Sequence, residues 1–183
     1  MAVPAAFLDR DGVINVDSGY VGCWEAFEYL PDAIEGLKLL QAAGFQLIVV
    51  TNQSGIARGY YTEDDFLMLT ETMKADLASK GINLSAVYYC PYLEDAELEA
   101  YRTASELRKP EPGMLLKAAE EQCLDLSRSI MVGDKSSDMV AAERAGVIAR
   151  YHVTEGNAHG ASVKVLGLLE AAIAATQSVP SPS

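Results

Sequence analysis

Two carboxylates lie two residues apart in Phe7-Leu8-Asp9-Arg10-Asp11-Gly12, directly after a short apolar run. Residues two apart in an extended segment point the same way, so Asp9 and Asp11 share one small volume. Such a pair is costly unless a proton or a cation is shared between the two groups. The same alternation predicts that Arg10 turns away from both. A carboxylate pair next to a cation can act as nucleophile and as proton carrier.

Three further segments carry groups that suit the same chemistry. Val50-Thr51-Asn52-Gln53-Ser54-Gly55 ends a second apolar run and brings a hydroxyl and several backbone amides, able to donate to phosphoryl oxygens. Gly133-Asp134-Lys135-Ser136-Ser137-Asp138 ends a third run and adds another acid. Oxygen-only ligands suit Mg2+, which takes one or two carboxylates and keeps several waters, so Asp9, Asp11 and Asp134 form a candidate metal site. Asp138, about one helical turn after Asp134, supports the site from behind or caps a helix. Lys109 in Arg108-Lys109-Pro110-Glu111-Pro112-Gly113 supplies an ammonium able to neutralise charge between a carboxylate and a phosphoryl group.

These groups meet only if a scaffold brings their segments to one edge. Strand candidates are Ala5–Leu8, Leu47–Val50, Ala86–Cys90, Ile130–Val132 and Val147–Arg150, and helical periods fall at 32–43, 63–79, 112–122, 136–145 and 161–175. That alternation predicts an α/β fold with a doubly wound parallel sheet. Ligands bind such sheets at the carboxyl ends of the strands, where three of the segments lie, while Lys109 sits at a proline turn before a helical segment. The expected organisation is a single domain over 1–176 followed by a flexible tail at 177–183, with a polar, acid-rich connection at 91–107.

Composition narrows the partners. A net charge of −12 argues against non-specific nucleic-acid binding and against anionic membrane surfaces. No apolar run approaches the ~20 residues of a membrane span, and Asp9 and Arg10 interrupt the amino terminus too early for a signal peptide. The expected location is the cytoplasm. Cys23, Cys90 and Cys123, three in number and without metal-like spacing, read as reduced structural thiols. Yet Arg10, Arg58, Arg108, Lys109 and Lys135, 5 of the 14 basic residues, lie in or beside the four segments. An acidic chain has gathered cations near a proposed anion site.

In order and content the four segments resemble the motifs of the haloacid dehalogenase (HAD) superfamily: Asp9-Arg10-Asp11-Gly12, Thr51-Asn52, Lys109, and Gly133-Asp134 with Asp138. The resemblance implies a HAD-like Rossmannoid sheet, with intervals between motifs too short for a large cap domain. It implies that Asp9 attacks phosphorus and forms an aspartyl-phosphate, and that Asp11 protonates the leaving oxygen and then activates water. Thr51 and Lys109 would hold phosphoryl oxygens, while Asp9, the backbone carbonyl of Asp11 and Asp134 would ligate Mg2+.

At closer range the chain resembles the D-glycero-D-manno-heptose 1,7-bisphosphate 7-phosphatases. Thr51–Gly59 and Arg108–Leu115 carry most of the likeness, with Phe7–Asn15, Asp17–Tyr20, Tyr88–Pro91 and Met131–Met139. That resemblance implies substrate contacts from Asp17, Ser18, Gly19, Tyr20, Thr51, Asn52, Gln53, Ser54, Arg108, Lys109 and Lys135, in a monomeric enzyme on the route to ADP-heptose. Many relatives carry a structural zinc site, whose positions here hold Cys90, Tyr92, Ser105 and Leu107. One ligand cannot replace the usual four, so no zinc is expected, and the 91–107 loop must be held by packing and hydrogen bonds. Histidinol phosphate or another phosphate monoester stays open as the substrate. A phospho-acceptor module without rapid turnover is a further alternative, which Asp11 argues against.

Overall fold

The computed structural model describes residues 2–177. Six strands form one parallel sheet: β1 (Ala5–Leu8), β2 (Gln46–Asn52), β3 (Leu84–Cys90), β4 (Ile130–Gly133), β5 (Ala149–Val153) and β6 (Val163–Val165). Their order is β3-β2-β1-β4-β5-β6. The chain winds outward from β1 to β3 and returns to begin again at β4 on the other side. The topological switch point therefore lies between β1 and β4, where open α/β sheets bind ligands.

Alternation along the strands divides the core into two layers. Ala6, Leu8, Leu47, Val49 and Val132 face Leu37 and Leu40 of α1 (Ala33–Ala42), Met73 and Leu77 of α3 (Glu63–Ser79), and Leu168 and Ala172 of α6 (Leu168–Gln177). Ala5, Phe7, Ile48, Val50 and Met131 face Met114 and Leu115 of α4 (Gly113–Glu121) and Met139 and Ala142 of α5 (Ser136–Ala145). A sheet covered on both faces needs apolar residues at every position, and AAFL in β1 is wholly buried.

The expected helix at 161–175 is corrected. Its first half is the edge strand β6, and helix begins only at Leu168. Val163-Lys164-Val165 has period two, which puts both valines on one face of the edge strand; Val165 is buried there and Val163 is exposed. Gly167 separates the two elements and packs so closely on Asp32 that an added Cβ would lie 2.2 Å from its carboxylate. The last strand of the expected set also shifts, from 147–150 to Ala149–Val153, and a short helix α2 (Ser54–Ala57) follows β2. The expected tail at 177–183 lies outside the described residues, apart from Gln177, which closes α6.

No cap domain occurs among the described residues. The interval from β1 to β2 holds a 3-10 turn (Trp24–Ala26) and α1, and the interval from β2 to the Lys109 segment holds α2, α3, β3 and the 91–107 loop. That loop is fastened by its own contacts. Leu93 and Ala96 pack on Ala57, Leu98 N donates to Ala57 O, and the Tyr101 hydroxyl donates to Glu63 Oε2 at 3.0 Å.

Candidate active site

β1 ends at Leu8, and the chain immediately turns. Amides of Val13, Ile14 and Asn15 all bond the Arg10 carbonyl, while Asp9 N bonds Val132 O of the neighbouring strand at 3.0 Å. Asp9 is thereby fixed at the switch point between β1 and β4. It is 5% exposed, beside Asp134 from the β4–α5 connection and Asp138 from the first turn of α5. One ligand oxygen from each of these three acids lies within 4.8 Å of the others.

The counter-charge is Lys109, 3% exposed, whose ammonium reaches Asp138 Oδ1 at 2.6 Å and Asp9 Oδ1 at 3.1 Å and donates to the Val50 carbonyl at 2.7 Å. The ammonium thus has two ionic partners and one hydrogen-bonded carbonyl, as a buried charge requires. Burial alone would lower the Lys109 pKa, but Asp138 and Asp9 outweigh it and raise the value. Asn52 clamps the segment in place: its Nδ2 donates to Lys109 O at 3.0 Å and its Oδ1 accepts from Lys109 N at 3.1 Å.

One ammonium does not balance three acids. Burial, then Asp138, Asp134 and Asp11, outweigh Lys109 and push Asp9 up to about 7. Asp134 is also raised, chiefly by burial, and its buried Oδ1 has no hydrogen-bond partner. Desolvated carboxylate oxygen with one atom left unsatisfied is the donor set a hard divalent cation requires, so these residues fit Mg2+. Gly12 keeps the space open, since a Cβ there would lie 2.4 Å from Asp134 Oδ2 and its φ is +83°.

Asp11 is held differently from the expected metal trio. Its carboxylate accepts from Arg10 Nη2 at 2.9 Å, Asn15 Nδ2 at 3.0 Å and Gln53 Nε2 at 3.1 Å, and the carboxylate that clusters with Asp9 and Asp134 is that of Asp138. The expectation that Arg10 turns away from its neighbours is wrong. Alternation governs strands only, and the turn that begins at Asp9 swings the guanidinium back onto Asp11. Arg10 is 1% exposed, donates also to Val21 O at 2.6 Å and lies over the Phe66 ring. Asp138 combines two roles: its Oδ2 accepts from Lys135 N at the start of α5 while Oδ1 pairs with Lys109.

Asp17, Gly19, Tyr20, Asn52, Gln53, Ser54 and Lys135 line one cleft of about 330 Å3 beside Asp11, joined by Tyr61. Arg108 and Lys109 line a larger cleft of about 830 Å3, with Glu94, Asp95 and Glu106. Thr51 is fully buried below, accepting from Gln53 Nε2 at 2.9 Å, which leaves its own proton to donate. Ser18 is exposed and lies in neither cleft. Lys135 Nζ stands 3.5 Å from Asp17 Oδ2, bridging the two rims of the smaller cleft.

Sequence reasoning missed Asn15, Tyr61 and His152. His152 Nδ1 accepts from His159 N at 3.1 Å, so in the neutral ring Nε2 carries the proton and donates to the Asp134 carbonyl, also at 3.1 Å. Neither His152 nor Tyr61 stands in a motif; only Asn15, four residues after Asp11, had a local signal.

A HAD-hydrolase-like family model matches residues 106–175, from the Lys109 segment through α6. The D-glycero-beta-D-manno-heptose-1,7-bisphosphate 7-phosphatase of Escherichia coli (strain K12) is 48% identical over 155 residues, covering 85% of this chain and 81% of that protein. The chain belongs to this phosphatase family. The protein of the same name from Vibrio cholerae is 46% identical over 156 residues, with 85% and 84% covered. Among solved structures, the D,D-heptose 1,7-bisphosphate phosphatase of B. bronchiseptica, complexed with magnesium and phosphate, superposes with a TM-score of 0.84 at 28% identity. The match covers 96% of this chain and 99% of that one. Family membership agrees with the sheet order and with the acids and ammonium gathered at the switch point.

Proposed function

We propose that this enzyme is a Mg2+-dependent phosphatase that removes the 7-phosphate of D-glycero-β-D-manno-heptose 1,7-bisphosphate through an aspartyl-phosphate on Asp9. The observation that carries this reading is the buried Asp9 carboxylate held by Lys109 beside the under-neutralised Asp134. The relatives' shared activity supports the substrate. Asp9 attacks phosphorus as the bond to the sugar oxygen breaks, and Asp11 delivers its proton to that departing oxygen. Asp11, now ionised, takes a proton from water, whose oxygen attacks the phosphoryl group and frees Asp9. Lys109 and the Thr51 hydroxyl hold non-bridging oxygens. When bound by Asp9, the Asp11 carbonyl and Asp134, Mg2+ neutralises charge on the phosphoryl oxygens.

Asp17, Ser18, Gly19, Tyr20, Asn52, Gln53, Ser54, Arg108 and Lys135 are assigned to the sugar and its second phosphate. The two clefts support this for all but Ser18. Asn52, whose amide is engaged with the Lys109 backbone, would contribute through its position. The enzyme works without zinc: of the four positions only Cys90 offers a ligand, and it is buried with Tyr92 and Leu107 packed against its cluster. One catalytic unit spans 1–176, supported by the continuous sheet. It is read as a monomer. Three free cysteines agree with a cytoplasmic setting. No described helix is long and apolar enough to cross a membrane.

Rapid-quench experiments with labelled substrate test the core of the reading. A hydroxylamine-sensitive phosphoenzyme is expected in the wild type and absent in Asp9→Asn, and phosphate release that survives in Asp9→Asn refutes it. A higher kcat/KM for histidinol phosphate than for the heptose bisphosphate refutes the substrate assignment.

A further inference from the structure

Tyr61 lies outside every recognised motif, yet its ring occupies a slot cut for it. A Cβ on Gly22 would lie 2.3 Å from Tyr61 Cγ, and one on Gly55 would lie 2.3 Å from its Cε1. Both neighbours must therefore be glycine for the ring to sit where it does. From this slot the phenol donates to Gln53 Oε1 at 2.5 Å. Gln53 is 2% exposed and its amide is fully committed: Nε2 donates to Asp11 Oδ2 at 3.1 Å and to Thr51 Oγ1 at 2.9 Å.

An amide has two orientations related by a half-turn, and they differ sharply here. With the orientation seen, N–H faces the Asp11 carboxylate; with the other, a carbonyl oxygen would face it. The hydrogen bond from Tyr61 to Oε1 stabilises the first. Burial pushes the Tyr61 pKa up to about 12, against the lowering influence of Arg10, so the phenol keeps its proton across the working range. The ring also packs on Gly22, in the loop whose Val21 carbonyl accepts from Arg10. The two groups that share Asp11 Oδ2, Gln53 and Arg10, are thus both tied to the segment that follows Tyr20.

We propose that Tyr61, acting through Gln53, is a positioning residue for Asp11, setting the carboxyl group that donates the proton to the leaving oxygen. Gln53 then serves the proton carrier in addition to lining the cleft assigned to the sugar. This inference rests on the role given to Asp11 above, and the experiment separates the two.

The readout is kcat/KM for two esters: the heptose bisphosphate, whose alkoxide must be protonated as it leaves, and p-nitrophenyl phosphate, whose phenolate leaves without a proton at neutral pH. Because kcat/KM reports steps up to the first irreversible one, later attack by water does not enter it. Tyr61→Phe keeps the ring in its slot and removes only the hydroxyl. It is expected to lower kcat/KM for the sugar phosphate about fivefold, the worth of one net hydrogen bond, and to lower it markedly less for the aryl ester. Gln53→Met, close in shape, is expected to show a larger loss with the same dependence on leaving group.

Equal losses on the two esters in both variants, or no loss in either, overturn the proposal. Asp11→Asn is the control. If it shows strong leaving-group dependence while Tyr61→Phe and Gln53→Met show none, the positioning role alone falls. If Asp11→Asn itself shows none, the proton-donor reading of Asp11 fails and the proposal with it.

Discussion

Replacing Lys109 by Met tests the electrostatic account of the site most severely. The side chains are similar in length, so the substitution leaves little cavity and isolates the charge. What disappears is an ammonium bonded to Asp138 at 2.6 Å, Asp9 at 3.1 Å and the Val50 carbonyl at 2.7 Å. Removing one member of a buried ion pair costs roughly 3–5 kcal/mol because the partner charge is left uncompensated. For a chain of this size each kcal/mol shifts Tm by roughly 2–4 °C, so a fall of the order of 10 °C is expected in metal-free protein near pH 8.

The pH dependence carries more information than the size. Asp9 already has a folded-state pKa near 7, against 3.8 for the free side chain. Losing Lys109, the main influence lowering it, raises it further. A group whose folded pKa exceeds its unfolded value contributes stability that is present below the unfolded pKa and lost as pH rises through the folded one. Because the wild type itself loses this contribution up to about pH 7, the part of the Lys109→Met deficit that comes from Asp9 should be nearly constant below pH 7 and grow between pH 7 and pH 8. Adding Asp138→Asn removes one stranded charge and should restore part of the loss. Denaturation by urea, in chelator, at pH 4.5, 6 and 8 measures all of this. A deficit below about 1 kcal/mol at pH 8, the range of an exposed pair, or one that does not change with pH, refutes the reasoning.

Other consequences follow from the same geometry. Wild-type protein in chelator should lose stability as pH rises from about 4 to about 7, and Mg2+ should recover more Tm at pH 8 than at pH 5. Gly12→Ala brings a Cβ to 2.4 Å from Asp134 Oδ2 at a φ of +83°. It should cost roughly 1–3 kcal/mol and raise the Mg2+ concentration needed for half-maximal activity. Arg10→Lys keeps the charge but loses the two-pronged grip on Asp11; kcat should fall more than KM rises, as steady-state kinetics on the heptose bisphosphate will report. Thiol titration of native protein should label Cys23 and Cys123 and spare buried Cys90, and elemental analysis should find zinc well below one atom per chain.

The chemistry was legible in sequence because it sits where strands end. Asp9, Thr51 and Asp134 each follow or close a run of buried apolar residues, and a parallel sheet brings those ends to one edge whatever the intervening length. The type of each motif residue and the doubly wound order were thus local information. Helices 63–79 and 136–145 were readable for similar reasons, their periodicity and first-turn acids being contained within the segment. The 161–175 region was misread because Val163-Lys164-Val165 is too short for period two to prevail over an adjacent helical pattern. Only the vacant edge beside β5 makes it a strand.

Side-chain direction within turns was decided by tertiary structure alone. Arg10 was expected to face away from Asp11 and instead grips it, because the bonds from Val13, Ile14 and Asn15 to its carbonyl curl the chain. Asp138 could be named from spacing but not given its bond to Lys109, which joins residues 29 apart through packing of the segments. Tyr61 and His152 carried no signal at all. Their hydrogen bonds to Gln53 and to the Asp134 carbonyl exist only once separate segments fold against each other. The sequence by itself determined which groups gather at the strand ends; the fold decided which of them grips which, because a hydrogen bond depends on direction as well as proximity.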